Sequence, residues 1–157
     1  MKFQSTRGNA PAASGLQALI NGLAPDGGLY VPQAFPKIDF NWERLAKADY
    51  FQIGQLVLST FFDEFSQEEL ADFLHQAYAQ FDRPEIVKVH ALDDKRQLLE
   101  LFHGPTLAFT GMALSLLSYF LTEEVQKNGP KEFLGILTAT FGETTGVDLV
   151  PLYQSTP

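Results

Sequence analysis

Between residues 97 and 140 the hydrophobic pattern changes period twice, and this limits the fold more than any other feature of the chain. Residues 97–102, Gln-Leu-Leu-Glu-Leu-Phe, suit a short strand. Residues 107–127 carry apolar side chains at helical spacing and close on Asn128-Gly129, a helix stop. Residues 133–140, Phe-Leu-Gly-Ile-Leu-Thr-Ala-Thr, are almost continuously apolar, as in a strand buried on both faces. Strand, helix and buried strand make a βαβ unit, whose strands run parallel with a right-handed crossover. The expected fold class is α/β, with this unit opening a second domain at about residue 93.

The helix of that unit is apolar nearly all round, through Met112, Leu114, Leu116, Leu117 and Phe120. Its exceptions, Gly111, Ser115, Ser118 and Thr122, fall on one stripe of small side chains. A helix apolar on most sides is buried on most sides, and the small stripe admits a close neighbour.

Residues 1–92 read as a mostly helical α+β domain. Residues 2–6 suit a strand. Ser14 caps a helix bearing Leu16, Leu19, Ile20 and Leu23 on one face. Pro25-Asp26-Gly27-Gly28 is a turn, and Leu29-Tyr30-Val31 an extended piece closed by Pro32. Asp49 opens a helix to about Phe62, with Ile53, Leu56, Val57 and Phe61 inward. Ser66-Gln67-Glu68-Glu69 is a capping box. Leu70, Phe73, Leu74, Ala77, Tyr78 and Phe81 then keep the 3.6 period until Asp82-Arg83-Pro84 ends the helix. Residues 86–89 suit a second short strand.

Charge narrows the partners. Eleven basic against nineteen acidic residues give a net charge of −8, which repels nucleic acid and anionic membrane surfaces. There is no cysteine, hence no disulfide framework and no thiolate metal site. Residues 1–7 show no apolar leader, and the apolar stretch 111–121 is far short of the roughly 20 residues that span a bilayer. These features suit a cytoplasmic protein. His75, His90 and His103 lie far apart, none at metal-ligand spacing, so no metal site is expected.

Two turns sit where α/β sheets bind ligands, after a strand and before a helix. The first is Leu101-Phe102-His103-Gly104-Pro105-Thr106, which on local chemistry is a Gly-Pro turn with a solvated histidine. The second is Gly142-Glu143-Thr144-Thr145-Gly146. Its backbone amides and hydroxyls would suit a carboxylate or phosphate, although the Gly-Lys-Ser/Thr ending of a P-loop is missing. Ser5-Thr6-Arg7-Gly8 reads as a strand end and Asp93-Asp94 as a turn.

Four segments, in order, resemble threonine synthases. Residues 101–109, Leu-Phe-His-Gly-Pro-Thr-Leu-Ala-Phe, are similar to the stretch leading into the cofactor lysine of that family. Residues 23–32, Leu-Ala-Pro-Asp-Gly-Gly-Leu-Tyr-Val-Pro, resemble its glycine-rich N-terminal signature, and Ser5-Thr6-Arg7-Gly8 its opening. Residues 138–146 resemble an altered form of its Thr-Ser-Gly-Asp-Thr-Gly loop.

The resemblance implies a pyridoxal-phosphate enzyme of the tryptophan-synthase-like fold. Such an enzyme, a carbon–oxygen lyase of threonine biosynthesis, converts O-phosphohomoserine and water into threonine and phosphate. It implies cofactor contacts at Phe109 and Thr110, and a grip on the substrate carboxylate by Gly142, Glu143, Thr144 and Thr145. The domains would be residues 1–92, threonine synthase-like, and 93–157, the beginning of the cofactor domain, with a divergent tail from about 147.

The chain departs from the pattern where the chemistry sits. The family reads Ala-Phe-Lys-Asp; this chain reads Ala108-Phe109-Thr110-Gly111. Thr110 occupies the Schiff-base position, and a hydroxyl forms no imine, so covalent cofactor binding is not expected. Phe141 and Glu143 likewise replace a small residue and an aspartate. Two readings stay open: an inactive portion of a threonine synthase, or a non-catalytic interaction or ligand-binding module of that descent. Exposed apolar surface would favour self-association.

Overall fold

The structure is a computed structural model that describes residues 1–38 and 41–128, with side chains described to residue 123. Its elements run in the order β1 (Lys2–Ser5), β2 (Ala13–Ser14), α1 (Gly15–Asn21), β3 (Tyr30–Pro32), α2 (Trp42–Leu45), α3 (Tyr50–Phe61), α4 (Gln67–Ala77), β4 (Lys88–Ala91), β5 (Gln97–Glu100) and α5 (Gly111–Asn128). Mixed helix and strand agrees with the expected α/β class. The chain divides into two compact units, Met1–Asp72 and Phe73–Pro157, the cut falling inside α4. The boundary expected near residue 93 marks a change of sequence pattern; contacts divide earlier because Phe73 and Tyr78 pack with α5.

In the first unit β1 is the middle strand of an antiparallel sheet ordered β2-β1-β3, with Phe3 opposite Ala13 and Pro32. Ser14 caps α1 as expected and completes a capping box with Gln17. Leu23 lies beyond α1, because the chain turns at Gly22 with φ +65° and sends Leu23 to bridge Leu29. Asp49 caps α3, again as a box, with Gln52. Gly15 permits a close approach: a Cβ there would stand 2.6 Å from the Phe61 carbonyl oxygen. The N-terminal ammonium pairs with Asp63, and Leu16 N–H donates to Glu64 at 3.1 Å. Of the residues expected inward on α3, Leu56, Val57 and Phe61 are half-buried and Ile53 is exposed.

In the second unit the stripe of α4 meets α5. Phe73 and Phe120 stack edge-on with centroids 5.5 Å apart, and Tyr78 Oη donates to the Met112 carbonyl at 2.8 Å. The small stripe of α5 is indeed a packed face: Gly111, Ser115 and Ser118 are buried. Ser118 Oγ, inside it, donates to the Ser115 carbonyl at 2.8 Å, so its burial leaves no donor unpaired.

Four boundaries differ from expectation. Helix α4 stops at Ala77, although Tyr78 remains in the core and Phe81 folds edge-on against it at 5.0 Å. The strand expected at 86–89 begins at Lys88, because Ile86 is buried in a left-handed turn at φ +65°. The strand expected at 97–102 ends at Glu100, where the chain leaves the hairpin for the turn at 101–110. The long helix starts at Gly111, not 107, since Leu107 is also left-handed at φ +55° and ends any helix reaching back through it. Strands β4 and β5 pair antiparallel, Ala91 opposite Gln97, as a hairpin. Its turn is built on Asp93, whose Oδ1 accepts from the amides of Lys95 and Arg96. The partner strand expected at 133–140 lies outside the described residues, as does its parallel pairing.

Candidate functional site

The turn between β5 and α5 carries the first candidate residues. Gly104 is required where it stands, because a Cβ would lie 2.9 Å from Phe81 Cζ. Leu107 N–H donates to the Gly104 carbonyl at 3.0 Å, and the left-handed Leu107 then swings the chain toward α5. Phe109 projects outward, 70% exposed. Thr110 immediately precedes the helix. Its carbonyl accepts from the amides of Ala113 and Leu114, both at 3.1 Å, and so begins the helical ladder. Its hydroxyl is different: Thr110 Oγ1 is buried and has no hydrogen-bond partner among the described residues. Phe109 and Thr110 are thus adjacent at a helix start, one side chain pointing out and the other in. Gly142, Glu143, Thr144 and Thr145 lie outside the described residues.

His103 corrects the sequence reading. It is not solvated but 4% exposed, since Gly104 lets Phe81 close over the turn and the Asp82 amide reaches the His103 carbonyl at 3.0 Å. Each ring nitrogen faces a carboxylate. Nε2 is 2.9 Å from Glu100 Oε2 in hydrogen-bond geometry. Nδ1 is 3.0 Å from Asp82 Oδ1, an ion-pair contact without hydrogen-bond alignment. Across the hairpin, His90 Nδ1 stands 3.7 Å from the other Glu100 oxygen. The Glu100 carboxyl is held below the ordinary carboxylate range, first by the hydrogen bond with His103, against burial, with Lys88, His103 and His90 adding favourable charge. The sequence signal for this cluster is faint: Glu100 and His103 three residues apart.

A second polar knot joins the two N-terminal motifs. Ser5, buried at the end of β1, donates through Oγ to Asp26 Oδ1 at 2.6 Å and accepts from the Arg7 amide. Asp26 also accepts from the amides of Asn9 and Gly28, and its carbonyl accepts from Arg7 Nη1 at 2.8 Å. These bonds, led by Ser5, hold the Asp26 carboxyl below its usual range despite a desolvation penalty. Ser5-Thr6-Arg7-Gly8 is therefore a strand end locked to the Asp26 turn.

The comparisons with known proteins agree with this layout. Residues 2–78 match the family described as threonine synthase N terminus. Threonine synthase of Schizosaccharomyces pombe is 35% identical over 156 residues, covering 92% of this chain and 30% of its own length. That of Pseudomonas aeruginosa is 36% identical over 148 residues, covering 92% of this chain and 31% of its length. A solved structure of threonine synthase from Brucella melitensis with PLP bound superposes with a TM-score of 0.76 at 35% identity, over 82% of this chain and 28% of that one. The chain thus spans under a third of the length of each of these relatives. On a matching sequence and a matching fold, the chain belongs to the threonine synthase family and corresponds to the N-terminal part of its members.

Proposed function

We propose that this chain supplies the N-terminal domain, residues 1–92, and the beginning of the cofactor domain, from residue 93, of a threonine synthase-like protein. The family reaction is the conversion of O-phosphohomoserine and water into threonine and phosphate, and a cytoplasmic setting belongs to this reading. Thr110 carries the reading of this chain as catalytically silent by itself. It stands at the start of α5, where the resemblance puts the lysine that would hold pyridoxal phosphate. Its hydroxyl is buried without a partner. A hydroxyl cannot condense with an aldehyde to an imine, nor act as a general base near neutral pH. The residues present therefore do not fit a covalently held cofactor, and no catalytic step is assigned to them.

The same reading places the substrate carboxylate at Gly142, Glu143, Thr144 and Thr145. Glu143 keeps the charge of the aspartate that the family pattern has there and is longer by one methylene.

Borohydride reduction tests the reading. The purified chain is mixed with pyridoxal phosphate, reduced, and its peptides mapped by mass spectrometry. The expected result is scattered, substoichiometric labelling of surface lysines. Stoichiometric labelling of one lysine would show a cofactor site that this reading denies.

A further inference from the structure

Two of the three histidines, far apart in sequence, meet around one carboxylate. The contacts run in an alternating chain: His90 Nδ1 to Glu100 at 3.7 Å, Glu100 to His103 Nε2 at 2.9 Å, and His103 Nδ1 to Asp82 at 3.0 Å. The ends of the chain are open to water and its middle is not. His90 and Asp82 side chains are 54% and 64% exposed, whereas those of Glu100 and His103 are 17% and 5%. It joins β4, β5, the segment after α4 and the turn that leads to Thr110. Among the described residues no group of three His, Cys, Asp or Glu side chains is arranged to hold a metal ion.

The number of protons on His103 decides how many of its contacts can be made. A neutral imidazole has one N–H and one lone pair, while the doubly protonated ring has two donors. Nε2 already has hydrogen-bond geometry with Glu100. A neutral ring that donates there turns its Nδ1 lone pair toward the Asp82 carboxylate, which repels it. A second proton turns that repulsion into the attraction of an imidazolium for a carboxylate 3.0 Å away.

We propose that the Glu100–His103–Asp82 arm of this chain is a proton-operated latch on the turn at 103–110, with His90 a bystander at its exposed end. With both ring protons, His103 ties β5 and the segment after α4 to the turn. With one, the Asp82 carboxylate lets go, only the bond from the Asp82 amide to the His103 carbonyl remains, and the turn carrying Phe109 and Thr110 loosens.

The surroundings are consistent with this action. Among the described residues, Lys88 on β4 acts on Glu100, and Arg83, next to Asp82 in sequence, has a buried Nε without a hydrogen-bond partner. The first turn of α5, Gly111 to Leu114, carries no ionisable side chain. Glu100, held below the ordinary carboxylate range, stays charged throughout the interval where histidines titrate. The latch goes beyond the functional reading above and stands whether or not the chain takes a cofactor.

Hydrogen exchange of the full chain, read by mass spectrometry and corrected for the intrinsic pH dependence, tests it. Protection of residues 104–111 is expected to be about threefold higher near pH 5.5 than near pH 8, with α3 unchanged. In Asp82→Asn the exposed amide can present either its oxygen or its NH2 to Nδ1, so the ratio should fall to about 1. His90→Gln should keep the wild-type response. Nitrogen-15 spectra of the His103 ring, taken on the same samples, should show the second ring proton lost over the interval in which protection falls. A flat wild-type profile, a response that survives Asp82→Asn, or one abolished by His90→Gln would each overturn the latch.

Discussion

Ser5 Oγ and Asp26 Oδ1 lie 2.6 Å apart across twenty-one residues of sequence, and Gly28 is what lets them meet. A Cβ at Gly28 would stand 2.0 Å from Ser5 Oγ and 3.1 Å from the Arg7 amide nitrogen. Ser5-Thr6-Arg7-Gly8 and the turn from Asp26 to Gly28 are therefore one structural object in this chain. Gly28→Ala should abolish the knot and lower the urea midpoint of the chain. Ser5→Ala, which removes a buried hydroxyl serving two partners, should cost about 1–3 kcal/mol. An unchanged midpoint in both would show that the knot adds nothing to stability.

The same carboxylate gives a pH signature. Asp26 titrates below 3.8, the ordinary aspartate value, in the folded chain. Its contribution is complete above the unfolded value and is lost as pH falls through the folded one. The stability difference between the wild type and Asp26→Asn should therefore be constant from pH 7 to about 5 and shrink below about 4. Parallel urea titrations across that range read it directly; a difference that grows on acidification would reverse the sign.

At the start of α4, Ser66 and Glu69 satisfy each other's backbone amides at 3.2 and 2.7 Å. Ser66→Ala should destabilise by about 1 kcal/mol, and Ser66→Asp, which keeps an acceptor at the cap, by clearly less. Equal losses in the two variants would deny the capping role.

Restoring a lysine should not restore chemistry. The Thr110→Lys variant would regain an amine at the start of α5, but orientation of a cofactor needs further fixed contacts around it. No phosphate release from O-phosphohomoserine is expected of this variant. Release above a no-enzyme control would mean that the 157 residues hold a working site.

From Val89 to Phe109 the surface is unusually apolar: Val89, Leu98, Leu99, Phe102, Leu107 and Phe109 are all exposed. Leu99 shares one face of the hairpin with Val89, and Leu98 lies exposed on the other, beside His90 and Glu100. Each such side chain gains about 1.5–3 kcal/mol on burial, enough to drive association against the net negative charge. Sedimentation velocity should show concentration-dependent self-association, reduced in Leu98→Lys/Leu99→Lys. A monomer at all concentrations would refute it.

Local rules are legible in the sequence and tertiary ones are not. Ser14, Asp49 and Ser66 are readable as caps because a cap involves neighbours three residues apart. Asp93 is readable as a turn for the same reason. The small stripe of α5 announces its packed face through Gly111, Ser115 and Ser118. The left-handed Ile86 and Leu107 are invisible, because both are large apolar residues with no local preference for φ > 0. His103 reads as solvated because its burial depends on Phe81 and its carboxylate partners, one of them Asp82, none of which the motif contains. Of the candidate site, Phe109 and Thr110 can be placed by pattern alone, whereas their surroundings require the fold.

Thr110 contributes its carbonyl to α5 and nothing through its hydroxyl. Among the described residues the scaffold thus gains no hydrogen bond from the side chain at the position that the resemblance assigns to the cofactor lysine. A cell that screens proteins by their folding would find little to object to in such an exchange. Selection for stability and selection for catalysis act here on different atoms of the same residue, and the second can lapse without alerting the first.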